Sequence, residues 1–330
     1  MKPLKFGAPV LLGLAIFAFA VAGQTPDKDD QPIKVSTLLL NIPVIASDAH
    51  GRYVSGLKKE NFSIIQDGEK QEIEFFADDK APMNVVILID FSGSTMPFLA
   101  GIKQAARDFV KILRPEDQGM IATFSDDMRV CQAFTSDQKK LDRAIRSADL
   151  QSPGGSNMQD AMYDIVTKGF AGIEGRKAII VLTDGFVSGR LVTDKALLQN
   201  LSASDILIYP ILFGDRKISI PLLPRMLGKE KEITREEAIQ RIVDEANSQL
   251  RFMDKLALVT GGKRIDAKST DFKVAFQDIA DELKNLYLVG FYPQITDTAK
   301  LHNITLKVEP SDISIRTKSS FKLRSSPTGN

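Results

Sequence analysis

The sequence predicts an α/β fold in which a mostly parallel central sheet, with helices on both faces, is inserted in a small β-sandwich-like domain formed by the N- and C-terminal segments. Three observations carry this. Met83 to Asp90, Lys177 to Thr183 and Asp205 to Leu212 are nearly continuous apolar runs, the pattern of strands covered on both faces. Helix-like stretches lie between them, so strands alternate with helices, as in a parallel sheet. The chain turns β-like again at both ends. A unit of about 45 residues buries too little surface alone, and pairing the two ends would enlarge its core and protect its edges.

The elements follow in order. Lys2 and Lys5 precede an apolar run from Ala8 to Ala22, and Val21-Ala-Gly23 supplies small residues for cleavage. Residues 1–23 therefore read as a signal peptide. The run is short for a membrane span, which needs about 20 apolar residues; an uncleaved anchor is the alternative. Either way the rest is expected to be exported, to the periplasm or the cell surface and beyond, with no integral membrane span after cleavage. Residues 24–33 are polar, hold two prolines and read as a linker. The N-terminal β segment spans 34–80: a strand from Val35 to Ala46, a short strand at Phe62 to Ile65, a turn at Gln66-Asp-Gly-Glu69 and a strand from Glu72 to Phe76. Asp-Gly supplies the positive φ of a tight hairpin.

Residues 81–285 form the α/β domain. After the first buried strand comes a helix from Phe98 to Leu113, a strand at Gly119 to Phe124 and its hairpin partner at Met128 to Phe134. Helices are expected over Lys139 to Ala148, Met158 to Phe170, Thr193 to Leu201, Arg235 to Val259 and Lys273 to Leu286, and a sixth strand over Lys263 to Asp266. Residues 214–236 show no period and read as an extended loop. Residues 286–330 return to β, with strands at Leu286 to Tyr292, His302 to Val308 and Ile313 to Leu323, expected to pair with the N-terminal segment.

Composition excludes several classes. Hydrophobic residues make up 43% and charged residues 26% of the 330, with a formal net charge of +1. These are globular values, without the basic stripe of a nucleic-acid binder. A single cysteine, Cys131, can form no disulfide within the chain and reads as a small buried hydrophobe; an intermolecular disulfide is the alternative. The two histidines, His50 and His302, lie outside the α/β domain and read as surface residues. No histidine is therefore on hand to activate a nucleophile, no Cys/His cluster suits zinc, and no Gly-x-x-x-x-Gly-Lys phosphate loop is present. An enzyme is not expected.

Three segments carry chemistry: Asp90-Phe-Ser-Gly-Ser94, Pro153-Gly-Gly-Ser156 and Leu182-Thr-Asp-Gly185. The first and third close parallel strands, and the loop before a helix can carry the second to the same carboxyl edge, where such folds bind ligands. Carboxylate and hydroxyl oxygens suit a hard cation. Asp90, Ser92 and Ser94 alternate, so a tight turn around Gly93 can bring their oxygens to one centre, with Ser156 and Asp184 adding two more. Asp126-Asp127 reads as a turn.

Together these motifs resemble the metal-ion-dependent adhesion site (MIDAS) of von Willebrand factor A (VWA) domains, over about residues 82–290. The resemblance implies a Rossmann-like sheet and a bound Mg²⁺, with Mn²⁺ and Ca²⁺ as alternatives. It implies direct ligation by Ser92, Ser94 and Ser156, with Asp90 and Asp184 acting mainly through water. Many relatives have Thr where Ser156 stands; the hydroxyl is kept, but a stiff β-branched side chain is lost. The resemblance further implies a binding module whose cation coordinates a carboxylate offered by a partner protein. A metal-independent scaffold of an exported assembly is the alternative.

Overall fold

The computed structural model describes residues 39–78, 80–149, 155–185, 191–214, 234–267, 271–295, 297 and 300–323. The expected signal peptide, the linker, residues 35–38 of the first strand and residues 215–233 of the expected loop lie outside these.

The first flanking segment supplies β1 (Leu40–Ser47), β2 (Phe62–Gln66), β3 (Glu69–Gln71) and β4 (Phe75–Ala77). The hairpin between β2 and β3 turns at Asp67 and Gly68, both at positive φ (50° and 95°), as the Asp-Gly pair requires. The single strand expected over Glu72 to Phe76 is corrected. The chain bends after Gln71, buries Ile73 in the core between two sheets, and enters the opposite sheet as β4.

The central part runs β5 (Met83–Asp90), a 3₁₀ turn Gly93–Phe98, α1 (Leu99–Lys111), β6 (Gln118–Phe124), β7 (Met128–Thr135) and α2 (Gln138–Ser147). It continues with α3 (Met158–Asp164), a π turn Ile165–Gly169, β8 (Arg176–Thr183), α4 (Asp194–Ser202), β9 (Ile206–Leu212), α5 (Arg235–Thr260), β10 (Ile265–Asp266) and α6 (Phe272–Lys284). The strands form one sheet in the order β10-β9-β8-β5-β6-β7, parallel except for β7, which pairs antiparallel to β6 at one edge. Side chains alternate across it. Val85, Ile87 and Ile89 enter the core under α1, α2 and α6; Val86 and Leu88 enter the core under α3, α4 and α5. Both faces are thus covered by helices, as the apolar runs foretold. Helix α5 stops where Gly261 takes the left-handed conformation at φ 80°. The next residue, Gly262, passes so close to β9 that a Cβ there would stand 2.0 Å from the Ile208 carbonyl oxygen.

The tail supplies β11 (Leu286–Phe291), β12 (His302–Val308), β13 (Ser314–Thr317) and β14 (Ser320–Phe321). Two antiparallel sheets, β13-β1-β11-β4 and β14-β12-β2-β3, mix strands from both ends of the chain. They share a core that includes Ile42, Tyr287, Phe291, Ile64, Ile304 and Phe321. The long tail strand expected over Ile313 to Leu323 is divided between the two sheets as β13 and β14. The expectation that His302 is a surface residue is also corrected. Its ring is buried, stacks on Phe321 and places Nδ1 2.7 Å from an Asp67 carboxylate oxygen. Cys131 is half-buried on the edge strand β7 rather than sealed in the core.

Buried polar groups tie the flanking strands to the central sheet. Arg176 is fully buried; its Nε donates to the Ala81 carbonyl (2.8 Å) and its Nη1 to those of Leu283 (2.9 Å) and Leu286 (3.2 Å). One guanidinium thus grips the chain both where it enters the central domain and where it leaves. Glu282 of α6 accepts from the hydroxyls of Tyr209 (2.5 Å) and Tyr53 (3.2 Å) and pairs with Arg316 of β13. Lys318 is fully buried and donates to the carbonyls of Ser202 (3.1 Å) and Ser204 (2.7 Å).

Candidate metal centre

Strands β5 and β8 pair in parallel with Ile89 opposite Leu182, so Asp90 and Thr183 arrive side by side at the carboxyl edge of the sheet. Asp90 is fully buried and accepts three hydrogen bonds. The Ser92 N–H reaches Oδ1 (2.9 Å); the hydroxyls of Ser156 (3.1 Å) and Thr183 (2.7 Å) both reach Oδ2. The Thr183 oxygen in turn accepts the Gly185 N–H at 3.0 Å. Burial pushes the Asp90 carboxyl up to about 6; the hydrogen bonds from Thr183 and Ser92 oppose this, and the nearby charge of Asp184 adds to it.

The turn expected around Gly93 takes the form of a 3₁₀ turn, with Gly93 outside the left-handed region. Buried Thr95 holds that turn, its hydroxyl lying 2.9 Å from the Asp90 carbonyl and 2.8 Å from that of Ser92. The result places the hydroxyl oxygens of Ser92 and Ser94 3.2 Å apart, the first buried and the second on an exposed residue.

The loop bearing Ser156 is brought over by the end of β6. The Gly155 N–H donates to an Asp126 carboxylate oxygen (2.6 Å), Asn157 Nδ2 to the Asp126 carbonyl (2.6 Å) and the Asn157 N–H to the Ser125 carbonyl (2.7 Å). Asp126 sits in the expected turn and also anchors this loop. Residues 153 and 154 of the Gly-Gly motif lie outside the described residues. Hydrogen bonds thus join Asp90, Ser92, Ser94 and Ser156 into one cluster, with Asp184 near enough for its charge to act on Asp90. Thr183, Thr95 and Asp126 complete it; of these Thr183 stood in a motif that the sequence singled out, and Asp126 was expected only as part of a turn.

The donor set is hydroxyl and carboxylate, which hard cations prefer. Octahedral Mg²⁺ at its usual bond length sets adjacent ligand oxygens about 3 Å apart. The Ser92–Ser94 separation, 3.2 Å, is close to that edge. By spending its proton on Asp90, Ser156 keeps its lone pairs for a cation. Among the described residues no group of three or more His, Cys, Asp or Glu side chains could hold a metal, so a cation at this edge would depend on the serine hydroxyls.

Residues 85–186 match the family model of the von Willebrand factor type A domain. No curated protein matches the chain. Among solved structures it is similar to the conserved hypothetical protein BatB from Bacteroides thetaiotaomicron, at 19% identity over 61% of this chain and 97% of that one, with a TM-score of 0.44. It is also similar to the vWF domain of the type V pili tip protein Mfa5 from Porphyromonas gingivalis, at 13% identity over 61% and 94%, with a TM-score of 0.45. A third is proximal thread matrix protein 1 of the mussel byssus with a zinc-occupied MIDAS motif, at 15% identity over 67% and 49%, with a TM-score of 0.48.

Proposed function

We propose that this chain, which contains a von Willebrand factor type A domain, is an exported, non-enzymatic binding module that captures an acidic group of a partner protein through a divalent cation, Mg²⁺ foremost. The observation that carries the reading is the pair of hydroxyl oxygens of Ser92 and Ser94, 3.2 Å apart at the carboxyl edge, with the Ser156 hydroxyl bound to the same buried Asp90 whose carboxylate accepts the Ser92 N–H. Ser92, Ser94 and Ser156 would hold the ion. Asp90 fixes the Ser156 hydroxyl and the Ser92 backbone, and Asp184 adds negative charge beside them. Hydroxyls contribute no charge, so a bound dication keeps enough positive character to favour a carboxylate from outside. Among the described residues no helix is long and apolar enough to cross a membrane.

The test is thermal unfolding against Mg²⁺, Mn²⁺, Ca²⁺ and Zn²⁺. An ion that binds only the native state stabilises it by about 2.7 kcal/mol at a hundredfold excess over Kd. Ser94→Ala removes an exposed hydroxyl without disturbing the core and should shrink that gain. Partner capture from the exported fraction should then be lost with chelator and with Ser94→Ala alike. Stability indifferent to every ion would leave the chain a metal-independent scaffold.

A further inference from the structure

On the outer face of the central domain, α1 and α2 enclose a groove of about 560 Å³, away from the cation site. Arg107 and Lys111 line it from α1, and Lys139, Arg143 and Arg146 from α2. Asp142 is the one carboxylate among the lining residues, a surplus of four positive charges in a chain whose formal net charge is +1. Asp142 is already shared between Arg107 Nε (2.6 Å) and Arg146 Nε (2.8 Å), and Lys111 bridges Asp108 at 2.7 Å. Lys139 and Arg143 are exposed and, among the described residues, have no ion-pair partner. Val110 gives the groove an apolar contribution between these cations. Lys103 fixes the relation of the two helices by donating to the carbonyls of Arg146 and Ala148 at the end of α2.

We infer that this groove docks an acidic peptide segment of a partner protein, independently of the cation. Guanidinium groups present planar forks that match carboxylates, and an open groove with an apolar element at Val110 suits an extended chain with acidic side chains. None of its lining residues is aromatic, so single-stranded bases have nothing to stack on. Arg107 lies eight residues beyond Leu99, the start of α1, about 12 Å along the helix. The groove is therefore a contact surface in addition to the serine cluster.

The test uses the full chain and a short fluorescein-labelled peptide alternating glutamate and alanine, read by anisotropy at low ionic strength with chelator present. Binding is expected, lost to added salt, absent for the glutamine version, and weakened about tenfold by Lys139→Glu/Arg143→Glu. Lys70→Glu/Lys307→Glu changes net charge equally at exposed positions on the flanking sheets and should leave binding intact. Equal weakening by both pairs would reduce the effect to net charge and overturn the proposal. So would tighter binding of oligothymidine or anionic vesicles through Lys139 and Arg143, or no peptide binding at all. Because chelator is present throughout, failure here leaves the cation site standing, and failure there leaves the groove.

Discussion

Replacing Glu282 by leucine would strand a charge at the joint between the flanking strands and the central domain. Glu282 is 3% exposed, pairs with Arg316 and accepts from both Tyr209 and Tyr53. Its presence holds the Tyr53 hydroxyl at about 12, after the larger effect of burial. Removing one partner of a fully buried ion pair costs about 3–5 kcal/mol; the Arg316 side chain is 35% exposed and keeps part of its hydration, which puts its share at or below the lower end. The stranded tyrosine hydroxyls add to this, so Glu282→Leu should cost about 4 kcal/mol, a large share of a typical stability of about 5–15 kcal/mol. Arg316 also donates to the Gly261 carbonyl at 2.5 Å, so adding Arg316→Met should not restore everything. It should still return about half the loss, since apolar replacement of both partners is often close to neutral. Urea unfolding reads this: with m near 3 kcal/mol/M, the single change lowers the midpoint by about 1.3 M. A single-variant loss below about 1 kcal/mol, or a double variant weaker than the single, would show that Glu282 does not stabilise this joint through Arg316.

Two more predictions concern other buried groups. Burial holds the Lys318 ammonium down at about 8, against 10.5 ordinarily; between those values the unfolded chain binds a proton that the native chain lacks, so native stability rises with pH. The rise is on the order of 3 kcal/mol and should be missing from Lys318→Met; urea midpoints measured from about pH 7 to 10 that run parallel for the two proteins would contradict it. Thr183→Val keeps shape but takes a donor from Asp90 and an acceptor from the Gly185 N–H. It should cost about 1–3 kcal/mol and reduce the Mg²⁺-induced shift in thermal unfolding, and an unchanged shift would separate Thr183 from the site.

The central sheet was legible because its information is local. An apolar run such as Met83 to Asp90 announces a two-sided strand without reference to anything else, and Thr260-Gly-Gly ends a helix wherever it occurs. That Asp90, Ser92, Ser94, Ser156 and Asp184 gather at one edge could be expected because strand ends of a parallel sheet share that edge. What escaped required knowing which distant segments meet. Asp126 reads as an ordinary turn until the loop 29 residues later hangs from it. Thr95 follows the motif directly, yet its clamp on two carbonyls appears only once the 3₁₀ turn is formed. His302 reads as a surface residue until Asp67, 235 residues away, pairs with it. The departure of β4 into the second sheet is likewise set by β11, with Phe76 opposite Val289, and not by its own three residues.

The grip of Arg176 on Ala81, Leu283 and Leu286 also bears on the order of assembly during synthesis. Strand β1 must wait for β11, since Ile45 pairs with Leu286; an emerging chain holds β1 without a mate until nearly all of it has left the ribosome. Closing so long a loop in an unfolded chain carries an entropic penalty. Once the inserted domain has folded around Arg176, the two junctions are already neighbours and the effective loop is short. An inserted domain that folds first would therefore shorten the loop that β1 has to close, and a product truncated before β11 would leave β1 unmated.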